Sequence, residues 1–308
     1  MTITLSVILC SYNPDRNIFE EVVTSLKNQT LPYNYWELLV IDNNSSEAIS
    51  NWLDLSWHPN ARIILENKIG LINARNRGTI EAQYEYLISV DDDTALFEDY
   101  LACAQNIYSS DPSLGIIGGR SFPKFLKEPP DWISEFNVLL AIRDLGETEI
   151  TIQKSKFNID KYPACSPILI APRKKCMNEY LHFFSKNEIS KNLGRKGSNL
   201  SSGEDNDINM YIFLKGYKLG YFPNLKFYHI IPEFRLTKKY LAKMAYESSR
   251  SWVKMLSNHN IRPWIPISRK TVWMRQLKAF FKQKAWLSKP NYIRWKGACG
   301  TYKGLSEL

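Results

Sequence analysis

Up to about residue 120 the chain alternates short apolar runs with amphipathic stretches, and this alternation restricts its fold more than any other feature. Runs that are apolar at nearly every position need cover on both faces, and the amphipathic stretches between them supply it as helices. That is the pattern of βαβ units building a parallel sheet. It predicts strands at residues 4–10, 36–42, 62–65, 86–90 and 115–118, and helices at 18–28, 70–83 and 100–108. In such a sheet a ligand sits beyond the carboxyl ends of the strands.

From residue 120 to 171, Pro123, Pro129, Pro130, Pro163 and Pro167 punctuate a stretch expected to be a loop-rich wall, with one strand ending near Ile170. A helix is expected after Arg173, a mobile lid at 194–203, and a helix opened by Glu204 and Asp205. Helices at 236–256 and 272–287 follow. The expected division is a catalytic domain at 1–235, with a nucleotide-binding half at 1–120 and an acceptor half at 121–235, and a basic helical extension at 236–308.

With 308 residues and 44% hydrophobic content, disordered and collagen-like classes are excluded. Cys10, Cys103, Cys165, Cys176 and Cys299 form no CxxC pair and read as reduced structural thiols, in keeping with a cytoplasmic protein. No secretory signal opens the sequence and no apolar run is long enough to span a bilayer. Eleven Lys and Arg and one acid lie between 261 and 308, a net +10 within a total of +9, so the basic character belongs to the tail.

Cys10-Ser11-Tyr12-Asn13 follows the first predicted strand and Asp42-Asn43-Asn44-Ser45-Ser46 the second, so both clusters fall at one sheet edge. Tyr12 suits stacking on a base, Asp42 suits a base N–H or ribose hydroxyl, and Ser11, Asn13 and Asn44 supply further polar contacts; the same residue types also make turns. Lys68 and Gly70 lead into a helix whose N-terminus, with Arg75 and Arg77, suits a diphosphate, or else presents a solvated basic face.

Asp91-Asp92-Asp93 ends an apolar strand, where three carboxylates repel one another unless a cation or hydrogen bonds compensate. Mg2+ or Mn2+ shared with a substrate diphosphate would do so, and a surface turn is the alternative. Glu204, Asp205 and Asp207 fall in the first turn of a predicted helix, where Asp205 suits a general base, Glu204 its support and Asp207 an acceptor contact; helix capping also explains them. His229 ends another short strand, either as a third metal ligand beside Asp93 and Asp91 or as a structural histidine.

Taken together and in order, these motifs resemble family 2 of the inverting glycosyltransferases, over about residues 3–235. The resemblance implies the GT-A fold, a Rossmann-like mixed, mainly parallel sheet flanked by helices. It further implies that Ser11, Tyr12, Asp42 and Arg75 hold the base and ribose, that Asp91 or Asp92 assists, that Asp93 binds Mn2+ or Mg2+, and that Asp205 is the base of a single displacement. The segment from Gly119 to Trp132 resembles the wall of bacterial members that build surface polysaccharides, which makes Trp132 an acceptor residue. The Gln-x-x-Arg-Trp motif of processive members is missing, so one sugar per encounter is expected.

Expected partners are a nucleotide sugar, UDP-linked by preference, and a glycan or lipid-linked acceptor. The tail at 261–308 is expected on an anionic membrane surface at its inner face, or packed on the core, with no nucleic acid. Two competing readings are a sugar nucleotidyltransferase, which wants a Gly-rich loop where Ser11-Tyr12-Asn13-Pro14 stands, and a nucleic-acid-binding protein gripping through the tail.

Overall fold

In the computed structural model, described for residues 4–154, 171–195 and 200–308, the apolar runs become strands. The strand expected near residue 170, lid residues 196–199 and Cys165 lie outside the described residues. β1 (Leu5–Ser11) and β2 (Trp36–Asp42) are buried along their whole length, as centrally placed parallel strands should be. Between them in sequence runs α1 (Arg16–Lys27). Asp15 caps this helix by accepting the N–H groups of Asn17 and Ile18, and Phe19, Val22, Val23 and Leu26 bury one stripe of it.

β3 (Ala61–Leu65), α2 (Leu71–Glu81) and β4 (Tyr86–Asp91) complete a four-stranded parallel sheet ordered β3-β2-β1-β4. The chain steps outward from β1 to β2 and β3, then returns to the far side of β1 with β4. The order therefore reverses between β1 and β4, which leaves a crevice at their carboxyl ends.

A second sheet is built from β5 (Thr94–Leu96), β6 (Leu114–Phe125), β7 (Ile150–Ile152), β8 (Ala171–Pro172) and β9 (Lys218–Ile231). Its order is β5-β9-β6-β8, with β7 also pairing β9. Helices α3 (Tyr100–Ser110), α4 (Lys174–Lys186) and α5 (Glu204–Leu214) are interspersed.

The chain divides into two compact units, the first made of residues 1–124, 142–183 and 208–230. Its core joins Leu5, Val7, Leu9, Phe19, Trp36, Tyr100 and Phe227, all essentially inaccessible. Trp36 is fully buried and donates its indole N–H to the Leu31 carbonyl at 3.1 Å, so the polar atom of this large side chain is satisfied.

The second unit comprises residues 125–141, 184–207 and 231–308. It holds a 3-10 helix (Asp131–Leu140), α6 (Lys238–Asn258), α7 (Val272–Lys282) and α8 (Lys289–Leu305). The helix predicted at 272–287 stops at Lys282, because Lys284 takes a left-handed turn (φ 48°) and Ser288 caps a new helix. α8 lies along α6 through a stripe of small residues. A Cβ on Gly300 would stand 2.0 Å from the carbonyl oxygen of Tyr246, so the two backbones approach as closely as they do only because none is there.

Past the end of α8, Arg250 forks onto Glu307 with two bonds of 2.8 Å, and Lys254 adds a third at 2.8 Å. Burial alone would raise the Glu307 carboxyl, but the hydrogen bonds from Arg250 and Lys254 outweigh it and bring the pKa down to about 2.

Candidate active site

The carboxyl edge of the parallel sheet collects the first three sequence motifs. Register places Ser11 opposite Asp42 on one side, and Cys10 opposite Asp91 on the other. The Ser11 hydroxyl donates to Asp92 Oδ2 at 2.6 Å and so bridges the point where the strand order reverses. Arg75, only 5% exposed on α2, donates to Asp91 Oδ1 at 2.9 Å. Two of the three carboxylates are thereby held by hydrogen bonds, and the mutual repulsion expected of the acidic run is reduced.

The third, Asp93, faces His229. Thr94 and His229 are cross-strand partners in β5 and β9, and the Ile230 N–H donates to the Asp93 carbonyl at 2.8 Å. This pairing brings His229 Nε2 to 3.4 Å from Asp93 Oδ2, with both side chains largely buried. Asp91 does not join them as a third ligand: among the described residues no three His, Cys, Asp or Glu side chains are grouped to hold a metal. One carboxylate and one imidazole nonetheless suit Mn2+ or Mg2+, which takes few protein ligands and completes its shell with water and substrate phosphate.

The loops around this edge are laced together by asparagines. Asn13, in the left-handed region (φ 48°), accepts from the main chain and hydroxyl of Ser46, each at 2.8 Å, while its own N–H donates to Ser45 Oγ at 2.9 Å. Asn43 accepts from the Gly70 N–H at 2.7 Å and donates to the carbonyls of Glu66 and Lys68. Gly70 begins α2 at φ 136°, a conformation open only to glycine. Sequence reasoning grouped Asn13 with the ligand contacts and gave Asn43 no role; both link loops around the rim.

Asp42, expected at the base or ribose, is 3% exposed and accepts the N–H groups of Ser45 and Ile49, each at 2.9 Å, so it closes its own loop. Tyr12, 46% exposed, together with Asn44 and Lys68, stands open to solvent around this rim.

The fourth motif lies in the second unit. Asp207 is fully buried and engages His259 Nε2 at 2.8 Å and Asn258 Nδ2 at 3.2 Å. At the position read from sequence as an acceptor contact, Asp207 thus anchors the start of α5 to the end of α6. His259 was missed because nothing near it in sequence marks it as a partner of residue 207. Glu204 is also buried, whereas Asp205 is partly exposed, since consecutive positions at the start of α5 face different ways. Trp132 lies in the first turn of the 3-10 helix, edge-on to Phe136 and with the Lys289 ammonium 5.8 Å from its ring centre.

No helix among the described residues is long and apolar enough to cross a membrane. No curated protein sequence matches the chain. Among solved structures, S. aureus TarS 1-349 in complex with UDP is 14% identical, with 99% of this chain and 90% of that one covered at a TM-score of 0.55. The same TarS piece in complex with UDP-GlcNAc gives 14%, 99%, 91% and 0.55. The mannosyltransferase PcManGT from Pyrobaculum calidifontis, in complex with GDP-Man and Mn2+, is 17% identical over 97% of this chain and 74% of that one at a TM-score of 0.54. At such identities the likeness is one of fold, and with the sheet order it establishes GT-A. The model of the family described as Glycosyl transferase family 2 matches residues 6–162, about half of the sequence and all of the edge motifs, and the chain therefore belongs to glycosyl transferase family 2.

Proposed function

We propose that the chain transfers one sugar from a UDP-linked donor to a hydroxyl of a glycan or lipid-linked acceptor, with inversion and with the help of a divalent cation. The observation that carries this reading is the approach of Asp93, in the turn between β4 and β5, to His229 on β9 at 3.4 Å, next to the Arg75–Asp91 ion pair in sequence. UDP-GlcNAc is named in one of the related structures, UDP in another, and GDP-Man with Mn2+ in a third.

In this reading Tyr12 offers its exposed ring to the base, and Ser11 and Arg75 fix the carboxylates of Asp92 and Asp91 toward ribose or base donors. Asp93 and His229 would hold Mn2+ or Mg2+, which when bound neutralises the departing diphosphate. Asp205 accepts the proton of the acceptor hydroxyl, a role assigned from its place in the Glu-Asp motif and supported by its exposure relative to Glu204 and Asp207. With one base and no processive motif, a single transfer giving a β-linked product from an α-linked donor follows. The exposed apolar and basic residues of α7 support residence at an anionic membrane surface, and a place in polysaccharide or glycoconjugate synthesis agrees with that position.

The test is thermal stabilisation by UDP-, GDP- and dTDP-sugars with and without Mn2+, since a ligand that binds the native state raises its apparent stability. UDP-sugars with Mn2+ are expected to raise Tm most. No shift with any nucleotide, or equal shifts without the metal, would remove the donor or the metal from the proposal respectively.

A further inference from the structure

The second unit contains a cavity of about 560 Å³ lined by Lys238, Lys239, Ala242, Lys243, Tyr246, Tyr292 and Lys296. Four ammonium groups surround it and no acid lines it. Among the described residues no carboxylate pairs with Lys238, Lys239 or Lys296. Lys238 stands 4.0 Å from the ring centre of Tyr292, and Lys296 lies 4.8 Å from that of Trp295, so aromatic faces steady two of the four cations.

Three of these lysines fall in the first two turns of α6, a 21-residue helix with no acid in its first turn. The helix dipole and the N–H groups of that end favour negative charge there, so the lysines stand where the helix itself would place acids. An anion in the cavity would relieve the repulsion among Lys238, Lys239 and Lys296 and at the same time meet the dipole.

We infer that this cavity is a binding site for a phosphate- or diphosphate-bearing group. Lysines are compact point charges that suit phosphate, and the cavity is larger than a bare phosphate requires. Ala242 and the rings of Tyr246 and Tyr292 form a wall for the sugar or lipid that carries the phosphate. The site stands apart from the donor reading, because its residues all belong to the second unit and its readout needs no sugar transfer.

The experiment is calorimetric titration of the full chain with inorganic pyrophosphate and with glucose 1-phosphate. Wild type is compared with K238Q/K239Q/K296Q and with a charge-matched control at exposed lysines of the first unit, K27Q/K175Q/K215Q. The cavity variant is expected to lose a binding event or weaken it at least about tenfold, with the control unchanged. Equal losses in both variants would reduce the effect to diffuse charge, and no loss in either would remove the site.

Vesicles containing phosphatidic acid separate the sources. Retention that depends on the three lysines assigns the phosphate to a lipid headgroup, and binding of the soluble phosphates alone assigns it to a soluble sugar phosphate; both uphold the site. Binding of a single-stranded oligonucleotide, with none of the phosphate compounds bound, overturns it. Should the triple variant melt below wild type, the single exposed change K239Q puts the same question with a smaller expected loss, and unchanged binding by a folded K239Q chain counts against the site.

Discussion

Asp93 and His229 meet because two strands pair, so changing either side chain should leave the fold intact. Asp93→Asn is expected to weaken Mn2+-dependent nucleotide binding by at least about tenfold, read by calorimetry at fixed UDP. Asp205→Asn should behave differently, keeping donor binding while transfer falls by about a hundredfold or more in a product assay. A fully active Asp205→Asn chain would move the base elsewhere. His58 offers a stability test far from chemistry. Buried among Tyr33, Trp36 and Trp57, its imidazole is pushed down to about 4 by loss of water, while Nδ1 accepts the Asn60 N–H. The unfolded chain takes up this proton near the ordinary value of 6.5 and the native state near 4. Stability is therefore fully present above about pH 6.5 and is lost as pH falls toward 4, by on the order of 3 kcal/mol. Urea midpoints of wild type and His58→Gln measured across that range should converge on the acid side.

At the level of elements, the contact between α6 and α8 depends on what is missing from Gly300. Gly300→Ala adds a methyl against a backbone carbonyl that cannot swing away, so it should destabilise the chain by about 2–3 kcal/mol despite the better helix propensity of alanine, seen as a lower melting temperature. The same glycines hid α8 from sequence reading: Pro290, Gly297, Gly300 and Gly304 look like breakers until a partner helix explains them. Strand β6 shows the converse. Its apolar run stops at Gly118, but β6 continues to Phe125, and the Ser121 N–H donates to the Arg143 carbonyl, a pairing no local pattern announces. The parallel strands were legible because burial on both faces writes itself as an unbroken apolar run. Within the site, the acidic run was legible for its chemistry, whereas the loop-closing work of Asp42 and Asn43 was not, since turn-forming and ligand-binding residues are the same types.

For the molecule as a whole, the charge asymmetry in the sequence acquires an address. α7 exposes Trp273, Met274, Leu277 and Phe281 amid Lys270, Arg275, Lys278 and Lys282, and Trp286 and Leu287 continue the exposed apolar surface. Removing residues 261–308 would also strip α8 from α6, so the cleaner variant is Trp273→Gln with Leu277→Gln and Phe281→Gln. It should lose co-sedimentation with anionic vesicles while its melting temperature stays within a few degrees of wild type, because these side chains lie outside the core. Unchanged co-sedimentation would leave α7 without a membrane role.

The asparagine lacing of the rim has a thermodynamic corollary. Loops already tied to one another by Asn13 and Asn43 have little disorder left to surrender when a nucleotide arrives. The heat-capacity change of binding should then be small, set by the apolar area a base covers on Tyr12 and not by any coupled ordering of chain.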